Sequence, residues 1–194
     1  MYLGLQGISK TVCGNANQYV TPSGPQPFKT QNEIIHVHDA NPITIKVRET
    51  IHGPVISDLL SGSIGNKPIV LSLKATFLAD KDQTPAALYQ LNQAKNWPDF
   101  LKALRLFHTP QQNIMYADRA GNIGLVAAGR MPVRRHGQGW WPQAGWTGKN
   151  DWPGYIPFNE LPKTLNPASG IIVNANNRIV DQNYPYYLSD DFAP

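Results

Sequence analysis

Turn-forming residues interrupt this chain so often that long helices have little room. Seventeen prolines and sixteen glycines punctuate the 194 residues, leaving short apolar runs between them. Runs rich in Val, Ile and Thr, bounded by Gly, Pro, Asn or Asp, read as strands. Glu33 to His38 and Ile43 to Val47 flank Asp39-Ala40-Asn41-Pro42, the turn chemistry of adjacent antiparallel strands. Asn113 to Ala117 and Ile123 to Ala127 predict a second hairpin around Asp118-Arg119-Ala120-Gly121-Asn122, where Gly and Asn suit positive φ. Tyr2 to Ile8 and Ile69 to Leu73 read as further strands, Thr21 to Pro27 as a turn, and Gly129 to Ser169 as a long irregular stretch.

Two segments break this pattern. Thr84-Pro85 opens a helix, with Thr as N-cap, Pro in the first turn, and Ala87, Leu91 and Ala94 repeating at i, i+4, i+7. A second helix starts near Trp97-Pro98, where Phe100, Leu101, Leu104 and Phe107 make one apolar stripe while Lys102 and Arg105 face water. Both helices should cover one sheet face. The expected class is α+β, antiparallel and β-rich with two short helices, built as one domain.

Composition excludes several functions. The net charge is only +4, and the one tight basic cluster is Arg130, Arg134, Arg135 and His136. A phosphate-tracking surface needs a denser basic stripe with stacking aromatics, so nucleic acid is not an expected partner. Cys13 is the sole cysteine, which rules out an internal disulfide and a cysteine-rich metal site. No apolar run reaches the roughly 20 residues that span a bilayer, so no membrane role is expected. His36 and His38 would share a strand face with metal-compatible spacing, but no third ligand is evident, and both read as exposed strand histidines. The turn at Asp118 lacks the spaced acidic ligands of a calcium loop.

The segment with the most chemical content is Gly170-Ile171-Ile172-Val173-Asn174-Ala175-Asn176-Asn177-Arg178. Ile171 to Val173 reads as a short buried strand ending at three amides within four positions. Asn clusters serve turns, through left-handed backbone and side-chain-to-backbone bonds. They also supply neutral N–H donors that can hold a developing oxyanion.

Five ordered motifs bear on this choice: Arg48-Glu49-Thr50-Ile51-His52-Gly53-Pro54-Val55-Ile56, Tyr116-Ala117-Asp118-Arg119-Ala120-Gly121-Asn122-Ile123-Gly124, Gly129-Arg130-Met131-Pro132-Val133-Arg134, Trp152-Pro153-Gly154-Tyr155-Ile156-Pro157-Phe158, and Asn166-Pro167-Ala168-Ser169-Gly170 running into the Asn segment. Together with Leu91-Asn92-Gln93-Ala94-Lys95-Asn96-Trp97, they resemble the large (beta) subunit of the penicillin acylase, or penicillin amidase, family over nearly the whole chain. The resemblance implies an N-terminal-nucleophile hydrolase with an αββα sandwich, in which self-cleavage makes a serine the first residue of the large subunit. Residue 1 here is Met1, whose thioether cannot form an acyl intermediate as serine does. The expectation is therefore a fragment, a single partial domain over 1–194 that begins downstream of the nucleophile and is inactive alone.

Residue by residue, the resemblance implies that Asn176 donates its side-chain amide to the tetrahedral intermediate. It implies that Leu88 and Gln112 lie at acyl-pocket positions, although Leu88 also fits as a helix core residue and Gln112 as a strand-end polar group. A large aromatic is common at the first of these positions in benzylpenicillin enzymes, so Leu88 argues against that preference. His52 fits the structural pattern, with no acid or base role. No cofactor is implied for the chemistry. A structural calcium is implied for the intact parent, with Asp190 and Asp191 as candidates here. The implied partners are a small N-acyl substrate, the small subunit and the rest of the large subunit, in a periplasmic or secreted parent. Self-association of the excised chain is expected, and substrates stay open among penicillins, cephalosporin side chains and acyl-homoserine lactones. The competing reading is a non-catalytic binding module in which Trp140, Trp141, Trp146 and Trp152 form a platform for a carbohydrate or other flat ligand.

Overall fold

The computed structural model describes residues 8–12, 17–59, 69–136, 138–175 and 177–189. Its first strands are β1 (Ile8–Val12), β2 (Gln18–Thr21), β3 (Gly24–Pro27), β4 (Lys29–Ile35), β5 (Ile43–Thr50), β6 (Gly53–Pro54) and β7 (Ile69–Leu73). Helices α1 (Thr84–Leu91) and α2 (Trp97–Leu104) follow, then β8 (Gln112–Ala117) and β9 (Ile123–Ala128). Four short strands, β10 (Pro132–Val133), β11 (Gln143–Ala144), β12 (Gly154–Tyr155) and β13 (Lys163–Leu165), occupy the stretch that reads as irregular in sequence. Among the described residues the class is α+β, with two α-helices and antiparallel ladders apart from the parallel pair β1–β11. The described residues divide between two compact units, one drawn from Leu5–Leu78 and Arg134–Asp151, the other from Ala79–Val133 and Trp152–Pro194.

In the first unit β4 and β5 pair from Lys29↔Glu49 to Ile35↔Ile43, which closes the hairpin around the predicted turn. Asp39 supplies the left-handed backbone there, with φ of 57°, as Asp tolerates αL better than most residues. Because β4 ends at Ile35, His36 and His38 lie beyond the strand, and the strand-face pairing expected for them is not formed. The turn expected over Thr21 to Pro27 narrows to Pro22-Ser23, because Gly24 to Pro27 form β3 and pair with β2 from Thr21↔Gly24 to Gln18↔Pro27. A small core of Tyr19, Phe28, Val55 and Val70 closes this unit, and the Arg48 guanidinium lies 4.6 Å from the centre of the Phe28 ring while its Nε donates to Asp58. The expected strand from Tyr2 lies outside the described residues up to Ile8, as does Cys13.

The second unit places both helices on one sheet, in the order β13-β9-β8. Ala87 of α1, Phe100 and Leu104 of α2, and Phe107 pack with Val126 and Ala128 of β9, as the stripe in α2 predicts. Strand β9 is central, and Gly124 to Ala128 are all buried. Gly124 is required there because a Cβ would lie 2.5 Å from the Trp97 ring.

The helix start differs from expectation. Thr84 is the first helical residue, not the cap, and its N–H is taken by the Asp82 carboxylate at 3.0 Å. Thr84 Oγ1 faces inward to accept N–H bonds from His108 and Thr109, and a hydroxyl so used cannot cap the helix. Ala94 lies past the end of α1. In α2 the cap is Asn96, whose side chain accepts from the Asp99 N–H.

Candidate functional site

The Asn segment departs most from its expected form. Ile171 to Val173 join no ladder, and Ile171 and Val173 are 68% and 67% exposed, so the predicted buried strand is corrected to an open, irregular segment. β-branching reports only a preference for extended backbone. A strand also needs an edge that accepts its hydrogen bonds, and among the described residues this run finds none. Gly170, at φ of 68°, turns the chain into it.

Side-chain amides engage Asn174, Ala175 and Arg178. Asn113 Nδ2, on β8, donates to Asn174 Oδ1 at 3.0 Å. Asn177 Oδ1 accepts from the Ala175 N–H at 3.0 Å, and Asn177 Nδ2 donates to the Arg178 carbonyl at 3.2 Å. Asn176 itself lies outside the described residues, as do Asp190 and Asp191. Beside the segment, Met115, Tyr116 and Ala117 of β8, with Ile123, Ile171 and Ile172, line a largely apolar hollow of about 410 Å³.

Leu88 and Gln112 are not brought together at this hollow. Leu88 sits on α1 and is 51% exposed, so it is not the core residue that helix periodicity allows. Gln112 is the exposed first residue of β8. Successive strand residues point to opposite faces, so Gln112 faces away from the side on which Asn113 meets Asn174. The Asp118 turn is self-contained: its two carboxylate oxygens accept from Tyr116 OH, the Asn122 side chain, and the backbone N–H groups of Ala120 and Asn122. Those bonds, the Asn122 amide foremost, hold the Asp118 carboxyl below its usual range. The turn reading stands over the calcium loop because these oxygens are already committed to donors.

These positions match a known sequence family. A profile of the penicillin amidase family matches residues 8–194. The chain belongs to the penicillin amidase family. An acyl-homoserine lactone acylase QuiP from Pseudomonas fluorescens is 36% identical over 179 residues, covering 92% of this chain and 22% of that protein. Penicillin acylase 2 proenzyme from Pseudomonas sp. SE83 is 32% identical over 170 residues, covering 87% of this chain and 21% of its own length. The chain thus spans about a fifth of the length of the curated relatives it matches. The solved structure of thermostable penicillin G acylase from Alcaligenes faecalis superposes with a TM-score of 0.77 at 26% identity, over 95% of this chain and 33% of that one.

In this member of the family the motif histidine, read from sequence only as part of a structural pattern, has a specific partner. His52 is buried in the turn between β5 and β6, and its Nε2 lies 2.8 Å from Asp151 Oδ1. A carboxylate only accepts, so Nε2 carries the proton. Nδ1 is buried and takes no hydrogen bond among the described residues. Burial pushes the His52 pKa below 6.5; the Asp151 hydrogen bond and charge oppose this, while nearby Lys74 adds to it. A base depressed in the folded state contributes stability above about pH 6.5 that is lost as pH falls through its folded pKa. Urea midpoints should therefore drop between about pH 8 and pH 5 more steeply in the native chain than in a His52→Gln variant; equal slopes would contradict this.

Proposed function

We propose that this chain is part of the large subunit of an N-acyl amide hydrolase whose N-terminal serine lies outside it, and that Asn176 supplies one donor of the oxyanion hole. The family match carries the reading, since the matched residues run from 8 to 194 and so include the Asn segment together with the motifs before it. In this scheme the serine hydroxyl attacks the amide carbonyl and its own α-amino group, titrating near ~7.7–8.0, takes the proton. The Asn176 amide then stabilises the negative oxygen of the tetrahedral intermediate. Collapse expels the amine, and water hydrolyses the acyl-enzyme. No cofactor takes part.

Leu88 and Gln112 are assigned to the acyl side, and an aliphatic residue at 88 fits acyl groups other than benzyl. The names of the relatives point to penicillin-type amides and acyl-homoserine lactones as the two substrate classes to test first. The same reading places the chain as a single partial domain in an αββα sandwich, beside a small subunit, in a periplasmic or secreted parent. It assigns Asp190 and Asp191 to a structural calcium completed by residues outside this chain, since that ion takes six to eight oxygen ligands. Exposed Ile171, Val173 and Met115 would be covered in the parent and would drive self-association of the excised chain.

One observation favours the binding-module reading: Trp140 and Trp141 are 58% and 77% exposed and line a hollow of about 440 Å³ with Gln138 and Gln143. Trp146 and Trp152 are half-buried, and Trp152 packs edge-on against Tyr155, so these two indoles are less open to a flat ligand than the other two. The hydrolase reading therefore leads. The isolated chain should release no product from N-acyl amides at any pH, whereas the processed parent should; turnover by the chain alone would overturn the assignment.

A further inference from the structure

We infer that the outer edge of β4 is an interaction surface for a second copy of this chain: two β4 strands pair antiparallel about Gln31, so that Lys29 of each copy faces Glu33 of the other. Among the described residues β4 is the terminal strand of the order β4-β5-β6, and all seven of its residues are exposed. A strand bonded on one side only leaves alternate N–H and C=O groups on its open side, a template for another strand. Natural edges are blunted by short length, proline or bulges. β4 holds no proline and pairs with β5 without a break from Lys29↔Glu49 to Ile35↔Ile43.

The side chains select the kind of strand that fits. Lys29-Thr30-Gln31-Asn32-Glu33 is wholly polar, so this stretch suits an edge that meets water or another polar strand, not burial under an apolar layer. Lys29, Gln31 and Glu33 share one face, because strand residues two apart point the same way. Within that row Gln31 Nε2 donates to the Glu33 carboxylate. In an antiparallel pair centred on Gln31, the opposed residues are Lys29 with Glu33, Thr30 with Asn32, and Gln31 with its own copy. Both ends of the row then meet an opposite charge, and the two-fold axis supplies the pairing twice. Centring on Asn32 would oppose Lys29 to Ile35 and Glu33 to Gln31, leaving both charges unmatched, so charge selects the register. Lys29 also holds Glu49 of β5 at 2.9 Å. Its ammonium has three donors, enough to lie between Glu49 of its own copy and Glu33 of the second. Lysine on an edge usually deters pairing; with Glu33 four positions on, it favours this register and opposes those that bring like charges together. An edge-to-edge contact buries little area, so Kd should be on the order of 10–100 µM.

Sedimentation of the full chain tests this surface by charge exchange. One variant combines Lys29→Glu with Glu49→Lys, which keeps the ion pair between β4 and β5 in reversed sense; the other is Glu33→Lys, at an exposed site. Alone, each variant opposes like charges at both ends and should associate at least about tenfold more weakly than the native chain. Mixed in equal amounts, the two should form a heterodimer with Kd within about threefold of the native value, since opposite charges meet again at both ends. A folding defect could not produce that recovery. Association through the exposed Ile171 and Val173 would be alike in all three proteins and indifferent to mixing. A native chain still monomeric at about 1 mM, single variants that associate as tightly as the native chain, or a mixture no tighter than its components would overturn the surface.

Discussion

Replacing Gly53 with alanine is expected to destabilise the first unit by about 3–5 kcal/mol, because backbone strain and a hard clash coincide there. Gly53 has φ of 125°, a region that L side chains rarely adopt, and a Cβ there would lie 2.2 Å from the Leu73 carbonyl oxygen. That oxygen belongs to the backbone of β7 and cannot rotate away as a side chain would. Two other glycines separate the two causes. Gly24 has φ of 106° with open space around a Cβ, so Gly24→Ala should show strain alone, about 1 kcal/mol. Gly154 has neither constraint, and Gly154→Ala should stay within about 0.5 kcal/mol. Urea midpoints of the three variants give the comparison; a Gly53→Ala midpoint no lower than that of Gly24→Ala would refute the role given to the close approach at Leu73.

The structural meaning of this Gly explains part of the motif around it. His52 and Gly53 sit together because the turn buries an imidazole against Asp151 while bringing its backbone onto β7. Neither reason is visible locally, since Asp151 lies 99 positions away. Local chemistry was legible where it decided the outcome. Asp39-Ala40-Asn41-Pro42 sets the β4–β5 hairpin, Gly121 with φ of 86° closes the β8–β9 turn, and the α2 stripe packs on β9 as its spacing requires. It failed where a tertiary partner decided. Thr84 looks like a cap but its hydroxyl is drawn inward by His108 and Thr109, and Asp82 takes the capping bond. Ile171 to Val173 carries strand chemistry without a strand neighbour among the described residues.

The candidate site shows the same division. The motif order singles out Asn176 and its neighbours, because a family pattern is written along the chain. The contact of Asn113 with Asn174 carries no signal in sequence, because only the fold brings β8 against that segment. Leu88 has the spacing of a core residue, yet half of it faces solvent on α1, which leaves it available for contacts that a core residue could not make.

Single-turnover acylation by the processed parent, compared with its Asn176→Ala variant, tests the central claim most directly. The amide is neutral, so removing it should leave substrate affinity nearly unchanged, while the transition state loses a fixed dipole aimed at its new negative charge. The account predicts a fall of about 10²–10³ in the acylation rate, or roughly 2.7–4 kcal/mol of barrier, with the serine still titrating as an active nucleophile. An acylation rate within about threefold of the parent would contradict it, because a fold-change that small is below what the loss of an oxyanion donor produces.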